Sequence, residues 1–148
     1  MGLKYSHSRG KPFCNMSTNR ILTDDNFYPM FFDMEFFIKE LKILNGQDNS
    51  YASDVYSFSM IAYELITGEK PLIPKGQKRP NILNIKIESI RTFISKCWSE
   101  NPEERQSFCQ IFEILMTEDF RKYFNANEEE VTKYLNLFDD EIKNPNLL

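Results

Sequence analysis

The chain has 148 residues, enough for one domain with a sizeable core, and its 41% hydrophobic and 14% aromatic content excludes a disordered chain. A net charge of −4 with a pI near 5.1 gives no electrostatic footprint for nucleic acid. The three cysteines, Cys14, Cys97 and Cys109, lack metal spacing and fit a reducing compartment; with no secretory signal and no apolar run of membrane length, a cytoplasmic location is expected.

At the start, Met1-Gly2-Leu3-Lys4-Tyr5-Ser6 fits the N-myristoylation template, so a membrane contact is expected only if Gly2 is acylated. The plainer reading makes residues 1–9 the end of a helix closed by Gly10. Asn15-Met16-Ser17 is a glycosylation sequon without meaning in a cytosolic chain. Ile21-Leu22-Thr23 and Tyr28 to Phe32 are short apolar runs around the turn residues Asp24-Asp25-Asn26, which predicts a hairpin. Residues 30–37 read MFFDMEFF. Strand alternation buries one of Phe31 and Phe32, and one of Phe36 and Phe37, so these four rings are a candidate interaction patch. A short helix is expected over 36–44, ended by Asn45-Gly46.

The next stretch, SDVYSFSMIAYELITG from Ser53 to Gly68, organises the rest. Val55, Phe58, Ala62, Leu65 and Ile66 keep helical spacing on one face, and Met60, Ile61 and Tyr63 fill much of the other. A helix apolar nearly all round belongs inside a domain. Ser53 suits an N-cap and Gly68 a left-handed C-terminal position. Asp54 and Glu64 are its only charges. A buried carboxylate needs a partner, so Asp54 is expected to hold a neighbouring loop.

Residues 69–82, with Pro71, Pro74, Gly76 and Pro80 among Lys75, Lys78 and Arg79, predict a solvated loop. Two helices follow at i, i+3, i+4, i+7 spacing. One puts Ile90, Phe93, Ile94, Cys97 and Trp98 on one face; the other carries Phe108, Ile111, Phe112, Leu115 and Met116. Cys97 and Cys109 fall on or beside those faces and read as buried thiols. Asn127 with Glu130 starts a last helix, with Val131, Tyr134, Leu135 and Phe138 inward.

Several of these residues carry a family resemblance. SDVYSFSMIAYELITGEKP resembles the central helix of a protein kinase C-terminal lobe in the tyrosine-kinase-like style. Lys96-Cys97-Trp98 through Pro102, Arg105, Ser107 and Phe108 resembles the pattern that follows it in kinases. The resemblance covers roughly residues 3–118. It implies a mainly α fold: a kinase-like C-lobe with a central buried helix and one small β-hairpin. Residues 1–118 are then a partial kinase domain, and residues 119–148 a C-terminal helical extension packed on or near it.

Laid over the kinase H-R-D-L-x-x-x-N pattern, the chain reads Phe13-Cys14-Asn15-Met16-Ser17-Thr18-Asn19-Arg20. The catalytic Asp position holds Asn15, whose amide cannot act as a base. The metal-binding Asn position holds Arg20, which has no acceptor and carries a positive charge. Asp33-Met34-Glu35 stands where D-F-G belongs, so Asp33 alone is kept. The A-P-E position falls on Glu40-Leu41-Lys42. In kinases the residue matching Arg105 pairs with the A-P-E glutamate; with Lys42 there, Arg105 is expected to take Glu40 or another carboxylate. The resemblance likewise gives Asp54 hydrogen bonds from the loop backbone around Phe13 and Cys14, and makes Trp98 structural. No glycine-rich phosphate loop occurs, and His7 as the only histidine allows no Ser-His or Cys-His pair.

The expected function is therefore that of a pseudokinase fragment without its small lobe. Such a chain would serve as a protein-interaction or scaffolding module, with a protein partner or self-association and no cofactor. The alternative is a fragment of a tyrosine-kinase-like Ser/Thr or Tyr kinase whose N-lobe lies upstream; only then are ATP and magnesium implied.

Overall fold

The computed structural model describes residues 2–10, 12–13, 16–18, 21–23, 25, 29–31, 51–77 and 79–143. They fall into two compact units, residues 10–107 and residues 1–9 with 108–148.

The first unit is built on helix α2, Tyr51–Thr67. No glycine or proline interrupts those residues, and Gly68 ends them. Its N–H still donates to the Glu64 carbonyl at 2.8 Å, and its φ of +72° then turns the chain out of the helix. The helix begins two residues before the expected cap. Ser53 is already helical, because Tyr51 and Ala52 are compatible with the helix, and Asp54 sits in the first turn, where the helix dipole favours a carboxylate. Asp54, Val55, Ser59, Ile61, Ala62 and Tyr63 are buried. The helix is not apolar-packed all round: Leu65 is 76% exposed. It shares the inner stripe but lies in the last turn, where that packing has ended.

Helix α3, Glu88–Cys97, lies against α2. Ile90, Phe93, Ile94 and Cys97 are buried as the period predicts, and Trp98 after the helix is buried too. Phe93 meets Phe58 of α2 edge to face at 6.4 Å. Burying each such side chain contributes about 1.5–3 kcal/mol. Two single 3₁₀ turns flank this pair, Ile82–Asn84 and Pro102–Glu104. Each is opened by an asparagine: Asn81 Oδ1 accepts from the Leu83 amide and Asn101 Oδ1 from the Glu103 amide, both at 3.1 Å. Strands β1, Ile21–Thr23, and β2, Pro29–Phe31, pair antiparallel with Ile21 opposite Phe31 and Thr23 opposite Pro29, as the expected hairpin.

The second unit holds α1, Gly2–Ser8, and α4, Phe108–Leu115, packed together. His7 meets the Phe108 ring edge to face at 4.8 Å, and Lys4 Nζ stands 4.7 Å over the Phe112 ring. Phe108 and Ile111 are buried. Cys109 is exposed, against the expectation of a buried thiol, because it lies about 100° round the helix from Phe108. A short helix not expected from the sequence, α5, Glu118–Tyr123, follows and buries Phe120. Asn125, at φ +48°, helps turn the chain into α6, Glu128–Lys143. Asn127 caps that helix, its Oδ1 accepting from the Glu129 and Glu130 amides at 3.0 and 3.2 Å. Arg121 pairs with Glu128. The described residues are mainly α with one small hairpin, and the first unit is built on a central helix, consistent with a kinase-like C-lobe.

Candidate functional site

The chemistry expected of a kinase-like lobe lies on the segment before β1, and α2 is what holds that segment. The Asp54 carboxylate is fully buried, and its Oδ2 accepts a 2.5 Å hydrogen bond from the Phe13 amide, forty-one residues away in sequence. An acid in that position needs such a donor, since an unpaired buried carboxylate costs several kcal/mol. Ten residues further along α2, Glu64 Oε2 accepts from the Thr18 hydroxyl at 3.2 Å. Met16, between the two anchors, is buried. Ten helical residues rise about 15 Å, and the five residue steps from Phe13 to Thr18 span at most about 17 Å. The two carboxylates therefore tie the segment at two widely spaced points on one helix.

A second cluster closes the other side of the α2 N-terminus. Two guanidinium groups stand against the Tyr56 ring, with Arg79 Cζ at 4.8 Å and Arg105 Cζ at 5.2 Å from its centroid. Both arginines also donate to backbone carbonyls. Arg79 Nε reaches the Trp98 oxygen at 2.6 Å and its Nη2 the Ser99 oxygen at 3.3 Å. Arg105 Nε reaches Ser99 at 3.0 Å and its Nη1 the Ala52 oxygen at 2.8 Å. Burial, and then the charge of Arg79, pull the Arg105 guanidinium below its ordinary value, while Tyr56 opposes the shift. Among the described residues, the partners of Arg105 are backbone oxygens and an aromatic face. Trp98 completes the cluster, its ring tilted against Tyr63 at 6.0 Å.

Glu64, Tyr56 and Arg79 are the members that sequence reasoning missed. Glu64 is the only other charge in an apolar helix besides Asp54, and that was the available signal. Arg79 reads as surface because its partners lie 19 and 20 residues away. Asn15, Arg20, Asp33, Glu40, Lys42, Phe32, Phe36 and Phe37 lie outside the described residues, as does the helix expected over 36–44; of Phe31 the strand pairing alone is described. Among the described residues no His, Cys, Asp and Glu group of three or more could hold a metal, and no helix is long and apolar enough to cross a membrane.

A central helix whose buried first-turn aspartate holds the preceding loop, with a Trp packed along it and an Arg bonded to its first turn, is the pattern of the large lobe of a protein kinase fold. Residues 38–115, a little over half of the chain, match the model of the protein tyrosine and serine/threonine kinase family, and the chain belongs to that family. It is similar to the dual specificity protein kinase shkD of Dictyostelium discoideum, 32% identical over 107 residues that cover 58% of this chain and 14% of that protein. The dual specificity protein kinase shkC of the same organism is 33% identical over 86 residues, 50% of this chain and 17% of that one. A light-sensor protein kinase of Ceratodon purpureus is 33% identical over 75 residues, 43% of this chain and 6% of the relative. The chain thus spans a small part, 6% to 17%, of the length of these relatives.

Proposed function

We propose that this kinase-family chain, of the tyrosine-kinase-like group, is a pseudokinase: it does not transfer phosphate and acts in the cytoplasm as a protein-interaction or scaffolding module. Residues 1–118 form its kinase-like part and residues 119–148 an extension of it. The observation that carries the reading is the Phe13 amide on Asp54. It supports a loop register in which Asn15 takes the place of the catalytic aspartate and Arg20 that of the metal-binding asparagine. Asparagine has no basicity with which to take a hydroxyl proton, and a guanidinium has no lone pair for a cation. Asp33 with Arg20 is not a donor set for magnesium, because a guanidinium offers the metal no lone pair.

The active-kinase reading rests on the names of the relatives, several of which are called dual specificity or serine/threonine-protein kinases. Asn15 and Arg20 argue against it. The test is a melting curve with and without millimolar Mg-ATP, beside a phosphotransfer assay. A ligand at 100 times its Kd raises stability by about 2.7 kcal/mol. No shift and no transfer are expected. A clear shift, or transfer that survives loss of Asp33, overturns the proposal.

A further inference from the structure

A groove of about 470 Å³ runs along the C-terminal part of α2, lined among others by Tyr63, Lys70, Leu72, Pro74, Asn81 and Asn84. Its size is that of a ligand cleft rather than a packing defect. Leu72 is 78% exposed, and Ile73 and Leu83, each next in sequence to a lining residue, are exposed as well. A surface that leaves such residues in water is suited to a protein contact.

The polar atoms of the groove indicate what kind. Asn81 Oδ1 accepts from the Leu83 amide, which fixes the side-chain nitrogen as its outer atom. Asn84 Nδ2 donates to the Tyr63 hydroxyl at 2.9 Å and to Glu69 Oε2 at 3.3 Å, which fixes its outer atom as oxygen. The Asn81 NH₂ and the Asn84 C=O have no partner among the described residues. A free amide donor and a free amide acceptor in the lining of one groove are the two groups that a peptide unit can pair with. The charges add direction. The lining carries Lys70 and Glu69, the latter already accepting from Asn84; Lys75 and Lys86, outside the lining on the same stretch of chain, have, like Lys70, no ion-pair partner among the described residues. Residues 69–91 hold six basic and two acidic side chains in a chain whose net charge is −4.

We propose that this groove binds an extended, acidic segment of a partner protein. Its main-chain amide lies on Asn81 and Asn84, an aliphatic side chain rests against Leu72 and Pro74, and its carboxylates face Lys70. The inference deepens the interaction reading above and rests on it, but its test is separate from that of catalysis. The probe is a fluorescein-labelled, capped peptide, Asp-Asp-Leu-Val-Leu-Asp-Asp, followed by anisotropy, beside a version flanked by lysines. The acidic peptide saturates the protein and the lysine version does not. Leu72→Asp and Lys70→Glu each weaken binding at least about tenfold, some 1.4 kcal/mol. Leu65→Asp, an equally exposed change outside the groove lining, leaves it unaltered. All three sites are exposed, so folding is retained, which a melting curve verifies. No saturation at millimolar peptide, equal binding of the two peptides, or indifference to Leu72→Asp overturns the proposal. Self-association abolished by Leu72→Asp also overturns it, because a second copy then fills the groove. A negative result here with no nucleotide response leaves the catalytic reading standing, and a nucleotide response with peptide binding does the reverse.

Discussion

Asp54 is a residue whose task is separable from catalysis. It is fully buried and holds the Phe13 amide, so removing it strands a donor rather than merely losing a contact. Asp54→Ala is expected to cost about 1–3 kcal/mol in urea unfolding, and an unchanged midpoint would show that the bond does not carry the loop. The two described cysteines differ in the opposite sense from their similar sequence settings. Burial pushes the Cys97 thiol from 9.0 up to about 12, whereas Cys109 is exposed. In a Cys14→Ser background, native protein at pH 8 should be alkylated at Cys109 and not at Cys97, as peptide mass mapping would show. The linkage has a definite sign. The raised folded value means that Cys97 contributes fully below pH 9, where both states carry the thiol. That contribution is lost as pH rises from 9.0 toward about 12, because the unfolded chain ionises first. Cys97→Ala should flatten that part of the alkaline stability curve.

At the scale of elements, α2 gathers most of the testable energetics. Gly68 has φ +72° and open space around any added Cβ, so Gly68→Ala isolates backbone strain. It should cost about 1–2 kcal/mol in thermal or urea unfolding, and a neutral result would mean that the helix can end otherwise. Tyr56 tests the two-arginine cluster. Tyr56→Phe keeps the ring and should change stability little, whereas Tyr56→Leu removes the face on which both guanidiniums rest and should cost about 1–3 kcal/mol. Equal effects of the two variants would show that the ring is not what holds the arginines. Periodicity made much of this architecture readable. Ile90, Phe93, Ile94 and Cys97 declare the inner face of α3, and Gly68 declares the end of α2. Periodicity failed where an element is too short to have a period: α5 has six residues and one buried side chain. It also failed at Leu65, since spacing gives the stripe but not where the packing along it stops. The Arg79 bonds to Trp98 and Ser99 join residues too far apart for any local pattern to show.

At the scale of the whole molecule, the sequence announced its kinase character through residues spread over both units, from Asp54 to Phe108. What it could not announce is the set of carbonyls that hold Arg105, because backbone oxygens have no sequence signature. The MFFDMEFF stretch belongs to this scale too. Four phenylalanines within residues 30–37 exceed what alternation can bury, and each ring left in water forfeits about 1.5–3 kcal/mol. The isolated chain is therefore expected to self-associate or to require a partner. Sedimentation velocity checks this: the chain should sediment as more than a monomer at micromolar concentration, and Phe32→Ser with Phe37→Ser should restore the monomer. A monomer from the start would end the expectation. Acylation of Gly2 is checked by the mass of the mature N-terminus.

The Phe13–Asp54 bond has one more consequence. An amide proton held by a fully buried carboxylate resonates far downfield and exchanges with solvent only when the segment leaves the helix. In a ¹⁵N spectrum Phe13 should thus stand apart from the crowded amides, and Asp54→Asn should draw it back among them. That single resonance becomes a built-in gauge of the segment before β1. Any small molecule or partner that disturbs the segment will report itself there, without an attached dye and without an enzymatic readout.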